Sequence, residues 1–256
     1  MAKRKSIRTD IAWSAVDRIT VKGHDLCTEI LGKLSLGDMA FLEITDRLPT
    51  PRESVMFNAI AVALVEHGLT PSSIAARMTY TGAPEAMQAA VAAGLCGLGS
   101  VFVGSMETAA RMLQEALPDP QADADLDRLA VEIVERFHAR KQIVPGIGHT
   151  LHKPVDPRAP RLFAIAAEQG YDGPYVKLMQ KVGAQAEKVY GKSLPVNATG
   201  AIASELQLPW KIVRGIGVLA RAIGLVGHIL EEMKNPMAYE IKQRAEEEAT
   251  AHLRQP

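Results

Sequence analysis

The chain has 256 residues, 47% of them hydrophobic, and its 29 basic and 29 acidic side chains cancel to a formal net charge of 0. That balance provides no global field for nucleic acid or an anionic membrane, and the length suffices for one large or two small buried cores. We expect a cytoplasmic protein without a secretory signal. The two cysteines are well separated, the basic start has no hydrophobic region behind it, and no apolar run reaches membrane-spanning length.

The predicted elements are almost all helical. Near the start, the alternation over 18–22 ahead of Gly23 predicts a short strand. Apolar residues then recur at helical spacing, most clearly over 101–117, where charged residues take the opposite face. The same pattern predicts helices over about 53–66, 85–98, 126–140, 161–168, 175–189 and 211–233, with an exposed, charge-rich helix over 237–253. The fold class is therefore all-α, with a short β hairpin near the N-terminus.

One short stretch combines a tight turn, a proton carrier and an anion-binding side chain. Val144, Pro145, Gly146, Ile147 and Gly148 lead into His149, and Arg158 follows nine residues later. Glycines allow positive φ and close approach to a ligand, histidine exchanges a proton near neutral pH, and a guanidinium fits a carboxylate. The stretch indicates either a site for an anionic small molecule or a plain loop between helices with an exposed histidine.

This stretch resembles the P-G-[YFI]-G-H…D-P-R signature of the citrate synthase family, which includes compact citryl-CoA lyases and the citryl-CoA lyase module of ATP-citrate lyase. Segments 19–26, 34–40 and 48–50 are similar to the beginning of the family pattern, and the resemblance covers about 17–232. It implies a citrate synthase-like two-domain helical fold. A large domain, 1–104 and 211–256, would form a homodimer, and a small domain would span 105–210.

The resemblance also implies roles for the turn and its neighbours. His149 matches the histidine that interacts with the carbonyl or hydroxyl at the carbon being made or broken. Arg158 matches a citrate-binding arginine, and the backbone of 144–148 would contact the adenine of coenzyme A. His67, in a turn similar to D-H-G-L-N-A-S, matches a histidine that binds citrate or oxaloacetate.

Two of these side chains have competing interpretations. If Gly68 ends a helix, His67 lies on its last turn, where a protonated imidazole is favoured and meets either a ligand or the helix carbonyls. Arg221 lies within the apolar run 216–230 and matches a carboxylate-gripping arginine. A buried arginine needs an anionic partner, supplied either by a ligand or by a structural salt bridge.

Two positions depart from the family pattern, both at the acetyl end of the expected site. Phe102 stands where synthases carry a histidine that donates to the thioester oxygen, a change also found in the ATP-citrate lyase module. Thr199, in a segment similar to N-V-D-G-A-I, replaces the catalytic aspartate. A phenyl ring donates no hydrogen bond, and a hydroxyl is a poor general base. A water held by Thr199 or a neighbouring carboxylate would have to substitute.

The resemblance therefore implies a citryl-CoA lyase-like enzyme that cleaves a 3-hydroxy-3-carboxyacyl-CoA to acetyl-CoA and oxaloacetate or another 2-oxo acid. His149 would accept the proton of the tertiary hydroxyl, while Arg158, Arg221 and His67 hold carboxylates. No metal or permanently bound cofactor is expected, because coenzyme A arrives as part of a small-molecule thioester. The alternatives are a binding protein for coenzyme A and carboxylates without lyase activity, and an acyltransferase on another CoA thioester.

Overall fold

The computed structural model describes residues 7–254, so most of the basic start, residues 1–6, lies outside the described residues. Within them the structure has three strands, β1 (Ala12–Ser14), β2 (Ile19–Val21) and β3 (His24–Asp25), and eleven α-helices. The helices are α1 (Leu36–Thr45), α2 (Pro51–Val65), α3 (Pro71–Gly82), α4 (Met87–Cys96), α5 (Gly104–Ala116), α6 (Leu126–Ala139), α7 (Arg158–Gln169), α8 (Pro174–Tyr190), α9 (Ala198–Glu205), α10 (Trp210–Lys234) and α11 (Ala238–Ala249). The predicted fold class is confirmed.

The predicted hairpin forms part of a small antiparallel sheet. Strands β2 and β3 pair Thr20 with Asp25 and Val21 with His24. Lys22 and Gly23 close the turn with φ of 50° and 86°, a left-handed geometry in which glycine is unstrained. Strand β1 adds a third member, so the sheet is larger than the expected hairpin.

Helix α1 is not among the helices that the periodicity predicts, and three further features differ from the prediction. The helix expected over 101–117 begins only at Gly104, because 101–103 form a turn. Helix α3 has no apolar stripe to reveal it, since it buries Ser72, Ser73 and Arg77 instead. The periodic pattern also misses α9, because every residue from 198 to 204 is buried and no polar face contrasts with an apolar one.

Helix α10 is the central element of the fold. It packs against α2, α3, α4, α5 and α9. By length and composition alone this 25-residue helix is apolar enough to cross a membrane, so the expectation that no run reaches that length is wrong. Its five helical neighbours and the buried Arg221 and Glu232 within it are instead typical of a core helix in a globular protein.

The main core runs through both predicted domains. Its buried members extend from α1 and α2 through α5 to α8, α9 and α10, and a smaller cluster of Val21, Ile30 and Leu42 lies beneath the sheet. The predicted division after 104 and after 210 falls at the first residue of α5 and of α10, and it stays a prediction. This packing leaves one broad cleft beside the middle of α10.

Candidate functional site

The cleft has a volume of about 1450 Å³. Its wall comes from the residues after α2, the turn before α5, the loop after α6, the loop before α9 and the middle of α10. All of the site residues predicted from the sequence line it: His67, Phe102, Val144, Pro145, Gly146, Ile147, Gly148, His149, Arg158, Thr199 and Arg221. The fold therefore brings together side chains up to 154 positions apart in the sequence.

Backbone pairing places the glycine turn against the loop that precedes α9. The amide of Gly148 donates to the carbonyl of Pro195 at 2.8 Å, and the amide of Asn197 donates to the carbonyl of Gly146 at 2.8 Å. Gly146 has a φ of +79°, and a Cβ there would lie 2.8 Å from the Cβ of Ala109. Glycine is therefore required both for the conformation and for the close approach to α5. The pairing puts His149 and Thr199 on neighbouring parts of the cleft wall.

The hydrogen bonds of His149 determine which ring nitrogen carries its proton. Its Nδ1 accepts the backbone amides of Leu151 at 3.1 Å and of His152 at 3.0 Å. Burial lowers the pKa of His149, although Asp156 opposes the change. A neutral ring with an accepting Nδ1 has its proton on Nε2, so His149 is a hydrogen-bond donor. This tautomer does not suit the expected role of proton acceptor.

His67 lies beyond the end of α2, not on its last turn as expected. The helix ends at Val65, and Glu66 has an extended φ of −134°. The carboxylate of Glu66 accepts the backbone amides of both His67 and Gly68 at 2.8 Å. Burial, followed by the charges of Arg158 and other neighbouring cations, lowers the pKa of His67. The expected protonated imidazole is therefore wrong, since the ring has left the helix dipole and lies near guanidiniums.

The cleft contains a third histidine beside these two. The ring centroids of His67, His149 and His152 are separated by 4.7–5.6 Å, and one nitrogen of each ring lies within 4.8 Å of the others. The spacing fits a metal ion, but the amides on His149 Nδ1 leave its other nitrogen protonated and unable to ligate. His152 is not among the site residues predicted from the sequence, although it follows His149 by only three positions.

The two arginines differ in their partners. Arg158 is held by Asp156, with Nε to Oδ1 at 3.0 Å and NH2 to Oδ2 at 2.7 Å. Burial alone would raise the pKa of Asp156, but the hydrogen bonds from Arg158 outweigh it and lower that pKa to about 2. Arg221 is buried, and its Nε donates to the carbonyl of Leu64 at 3.2 Å. Among the described residues Arg221 forms no salt bridge; burial lowers its pKa, and the charge of Glu66 opposes that change from a distance. Its guanidinium is therefore only partly compensated within the chain.

Both altered positions lie at the cleft surface. Phe102 is 51% exposed in the turn before α5, so it is not the helix-face core residue that the predicted helix implied. Thr199 is only 7% exposed and lies in the first turn of α9. Among the described residues, the only acidic side chain on the cleft wall is Asp156, already paired with Arg158. The described cleft wall therefore offers no unpaired carboxylate in place of the missing aspartate.

A buried network outside the cleft fixes the turn that carries His67. The Nδ1 of His228 lies 2.9 Å from NH2 of Arg77, and its Nε2 lies 3.0 Å from Oε1 of Glu66. Arg77 also pairs with Glu232 at 3.0 Å. Since Arg77 donates to Nδ1, the Nε2 of His228 donates to Glu66, which in turn binds the His67 amide. No local pattern in the sequence connects His228 with Glu66, which lies 162 positions earlier.

Comparisons with known proteins agree with this geometry. The family model for the citrate synthase C-terminal domain matches residues 16–242. The citryl-CoA lyase from Hydrogenobacter thermophilus superposes with a TM-score of 0.80 and 31% identity, covering 90% of this chain and 88% of that one. A variant of Methanosaeta concilii ATP citrate lyase bound to (3S)-citryl-CoA has a TM-score of 0.72, covers 91% of this chain and 40% of that one, and at 20% identity shows the fold alone.

Curated relatives are longer than this chain. The citrate synthase of Synechocystis sp. is 24% identical over 78% of the chain, and the chain spans 50% of that protein. The matched region includes the glycine turn, both arginines and both altered positions, since all of them lie within 16–242.

Proposed function

The chain belongs to the citrate synthase family, and from that premise we propose that it is a citryl-CoA lyase-like enzyme. It cleaves citryl-CoA, or a related 3-hydroxy-3-carboxyacyl-CoA, into acetyl-CoA and oxaloacetate or another 2-oxo acid. The observation that carries the proposal is the buried guanidinium of Arg221, which lines the same cleft as His149 and forms no salt bridge among the described residues, although the charge of Glu66 acts on it. A buried charge with so little compensation favours an anionic ligand beside it.

The cleft has two parts, one that binds the acyl group of the substrate and one that binds its coenzyme A. Arg221 and Arg158 bind carboxylates of the acyl group, and Arg158 does so while it remains paired with Asp156. The Nε2–H of His149 donates to the oxygen on the carbon at which the bond breaks. The backbone of 144–148 forms the wall for the adenine of coenzyme A, which arrives as part of the substrate, so no permanently bound cofactor is required.

The step expected to be slow is the one at the acetyl end of the substrate. Cleavage leaves an enolate on the departing acetyl group, which must be stabilised and protonated. Phe102 donates no hydrogen bond to it, and Thr199 replaces the family aspartate with a hydroxyl that does not ionise near neutral pH. Loss of a general acid–base group costs about 10²–10⁴-fold in rate. We therefore expect cleavage to be slow compared with aspartate-bearing relatives.

We also propose a homodimer formed by the predicted large domain. Helix α10 exposes an apolar stripe outside its packed face, and α2 exposes two valines next to it in the fold. The stripe comprises Leu219, Ile223, Val226, Leu230 and Met233, and the valines are Val55 and Val62. Helix α5 does not extend this surface, because its apolar residues are buried within the chain itself. A monomeric mass by light scattering at micromolar concentration would contradict the dimer.

The activity is tested by release of oxaloacetate from citryl-CoA, followed by coupling to malate dehydrogenase. The proposal requires turnover by the wild-type chain and a large loss in Arg221→Gln, which keeps a polar side chain but removes the charge. Turnover of another CoA thioester with no cleavage of citryl-CoA would favour the acyltransferase alternative.

The cleft also supports a second candidate, a protein that binds coenzyme A and carboxylates without catalysis. The observation in its favour is the lack of an unpaired acidic side chain on the described cleft wall. Tight binding of citryl-CoA, measured by calorimetry, without release of oxaloacetate over hours would establish this function in place of the lyase.

A further inference from the structure

We propose that His228 is a positioning residue of the site. It holds the carboxylate of Glu66 on the turn that carries His67, and it thereby keeps that carboxylate from pairing with Arg221. Arg221 then stays open to a carboxylate of the substrate. The inference rests on the proposed function, in which Arg221 binds the acyl group. His228 is not among the described residues that line the cleft, so it acts through Glu66.

Glu66 is the carboxylate whose charge reaches Arg221. Nε of Arg221 donates at 3.2 Å to the carbonyl of Leu64, two positions before Glu66. Oε2 of Glu66 lies 2.9 Å from the point where a Cβ on Gly224 would stand, and Gly224 shares a face of α10 with Arg221, three positions away. Burial lowers the pKa of Arg221 and the charge of Glu66 opposes that change, yet among the described residues the two side chains form no salt bridge.

Three hydrogen bonds hold Glu66 in this position beside Arg221. All three converge on Oε1: the backbone amides of His67 and Gly68 donate to it at 2.8 Å each, and Nε2 of His228 lies 3.0 Å away. The two amides belong to adjacent residues of one turn, whereas His228 belongs to α10. Only the bond from His228 therefore ties the carboxylate to the helix that also carries Arg221.

Arg77 makes His228 a donor. The guanidinium of Arg77 is fully buried, and its NH2 and Nε lie 2.9 and 3.3 Å from Nδ1 of His228. Because a guanidinium only donates, Nδ1 accepts, and the neutral ring carries its proton on Nε2. NH1 of Arg77 is fixed in turn by Glu232 at 3.0 Å. The network thus presents one N–H group to the carboxylate of Glu66.

Loss of that N–H group would set two anions in competition for Arg221. The side chain of Glu66 is half-exposed, so it can turn once one of its three bonds is gone. A buried guanidinium with little compensation attracts the nearest carboxylate. A carboxylate on the same chain competes with a free ligand at an effective concentration on the order of millimolar or higher. Glu66 released from His228 is therefore an internal inhibitor of acyl-group binding.

The proposal is tested by calorimetric binding of citrate to the full chain at neutral pH. His228→Phe should bind citrate on the order of 10- to 100-fold more weakly than the wild type, because Glu66 then pairs with Arg221. His228→Gln is the conservative variant, since its amide supplies an N–H group to Glu66 and an oxygen to Arg77, and it should stay within about threefold of the wild type. Wild-type affinity in His228→Phe overturns the proposal.

A second substitution separates competition from damage to the fold. When His228→Phe is combined with Glu66→Gln, the competing charge is gone, while the amide oxygen still accepts from the backbone of the turn. The double variant should regain at least about tenfold of the lost citrate affinity. Removal of a charge does not repair a packing defect, so a double variant that binds as weakly as His228→Phe overturns the proposal.

The matched control changes another member of the network. Glu231 pairs with Arg77 but not with Glu66. Glu231→Gln therefore perturbs the network at a point that leaves the bond from His228 to Glu66 in place, and it should keep the wild-type affinity for citrate. A loss in Glu231→Gln as large as that in His228→Phe would assign the effect to the whole network and overturn a specific role for His228.

Kinetics and spectroscopy give independent readouts. Cleavage of citryl-CoA by His228→Phe should show a raised KM with kcat within about threefold of the wild type, because binding of the acyl group is lost and the groups at the breaking bond remain. Nitrogen-15 shifts of the wild-type chain should show His228 neutral and protonated on Nε2. A His228 ring protonated on Nδ1 overturns the proposal whether or not the variants fold.

The outcomes separate this inference from the lyase function. The expected order of citrate affinities without any cleavage of citryl-CoA supports the role of His228 and overturns the lyase. Wild-type cleavage together with unchanged citrate affinity in His228→Phe overturns the role of His228 and leaves the lyase in place. A wild-type chain that binds no citrate overturns the inference, because Arg221 then holds no carboxylate for which Glu66 could compete.

Discussion

Replacement of Thr199 by aspartate restores the one family group whose absence most limits the expected chemistry. Thr199 lies in the first turn of α9 on the cleft wall and is 7% exposed. Threonine and aspartate have similar volumes, so the change introduces no overpacking. Thr199→Asp therefore alters the chemistry of one side chain in an otherwise unchanged cleft.

The expected size of the effect follows from the role of that group. A positioned general acid or base contributes about 10²–10⁴-fold, so we expect citryl-CoA cleavage to rise on the order of 10²-fold, or about 2.7 kcal/mol of barrier. Two local effects act on the new carboxylate. The N-terminus of α9 stabilises a negative charge by about 0.3–1 kcal/mol, while burial opposes ionisation. These effects partly cancel, which leaves an acid–base group that functions near neutral pH.

The assay is the coupled release of oxaloacetate from citryl-CoA, with Thr199→Asn as the matched control. Asparagine has nearly the shape of aspartate and keeps one acceptor oxygen, but it does not ionise. A gain in Thr199→Asp that is absent in Thr199→Asn isolates proton transfer from any change in packing. Calorimetric binding of coenzyme A should be the same for all three chains.

Three results would refute this reasoning. Equal rates in Thr199→Asp and Thr199→Asn would show that ionisation at this position is irrelevant. Zero cleavage of every CoA thioester tested, with coenzyme A still bound, would exclude the lyase and favour the binding protein. A fall in activity toward a different acyl-CoA would show that the cleft is shaped for the hydroxyl.

Three further predictions concern the arginines, the glycine turn and acid stability. Arg158→Ala and Arg221→Ala should each weaken binding of the carboxylated substrate by roughly 2–4 kcal/mol, measured by calorimetry, with coenzyme A binding unchanged. Gly146→Ala should lower the free energy of unfolding, measured in urea, by about 1–3 kcal/mol, because φ is positive there and the new Cβ would lie 2.8 Å from an atom of α5. Gly99→Ala is the control and should leave the free energy of unfolding unchanged, since a Cβ at that position meets no atom within 4 Å. Hydrogen bonds from Arg47 and from the backbone and side chain of Thr50 lower the pKa of Glu53 from 4.5 to about 2. The free energy of unfolding of the wild type should therefore fall by about 2–3 kcal/mol as the pH drops from 4.5 toward 2, because the native carboxylate then becomes protonated. Glu53→Gln, which cannot ionise, should lack this acid-dependent loss.

Local patterns in the sequence were sufficient for the helical class and for the membership of the cleft. Amphipathic periodicity revealed α5, α6 and α8 because each has one face in the core and one in solvent. It failed for α9, which is buried all round, and for α3, whose buried face is polar. Family motifs, which need no periodicity, placed every predicted site residue on one cleft wall.

The states of those residues depended on tertiary contacts. The sequence indicated that His67, His149, Arg158 and Arg221 belong together, because their motifs are local. It left open which nitrogen of His149 is protonated, whether His67 carries a charge and whether Arg221 has a structural partner. Those properties are set by the amides of 151 and 152, by guanidiniums from distant parts of the chain and by the burial of α10. Proton positions and charges respond to neighbours in space, and only the folded chain decides which neighbours those are.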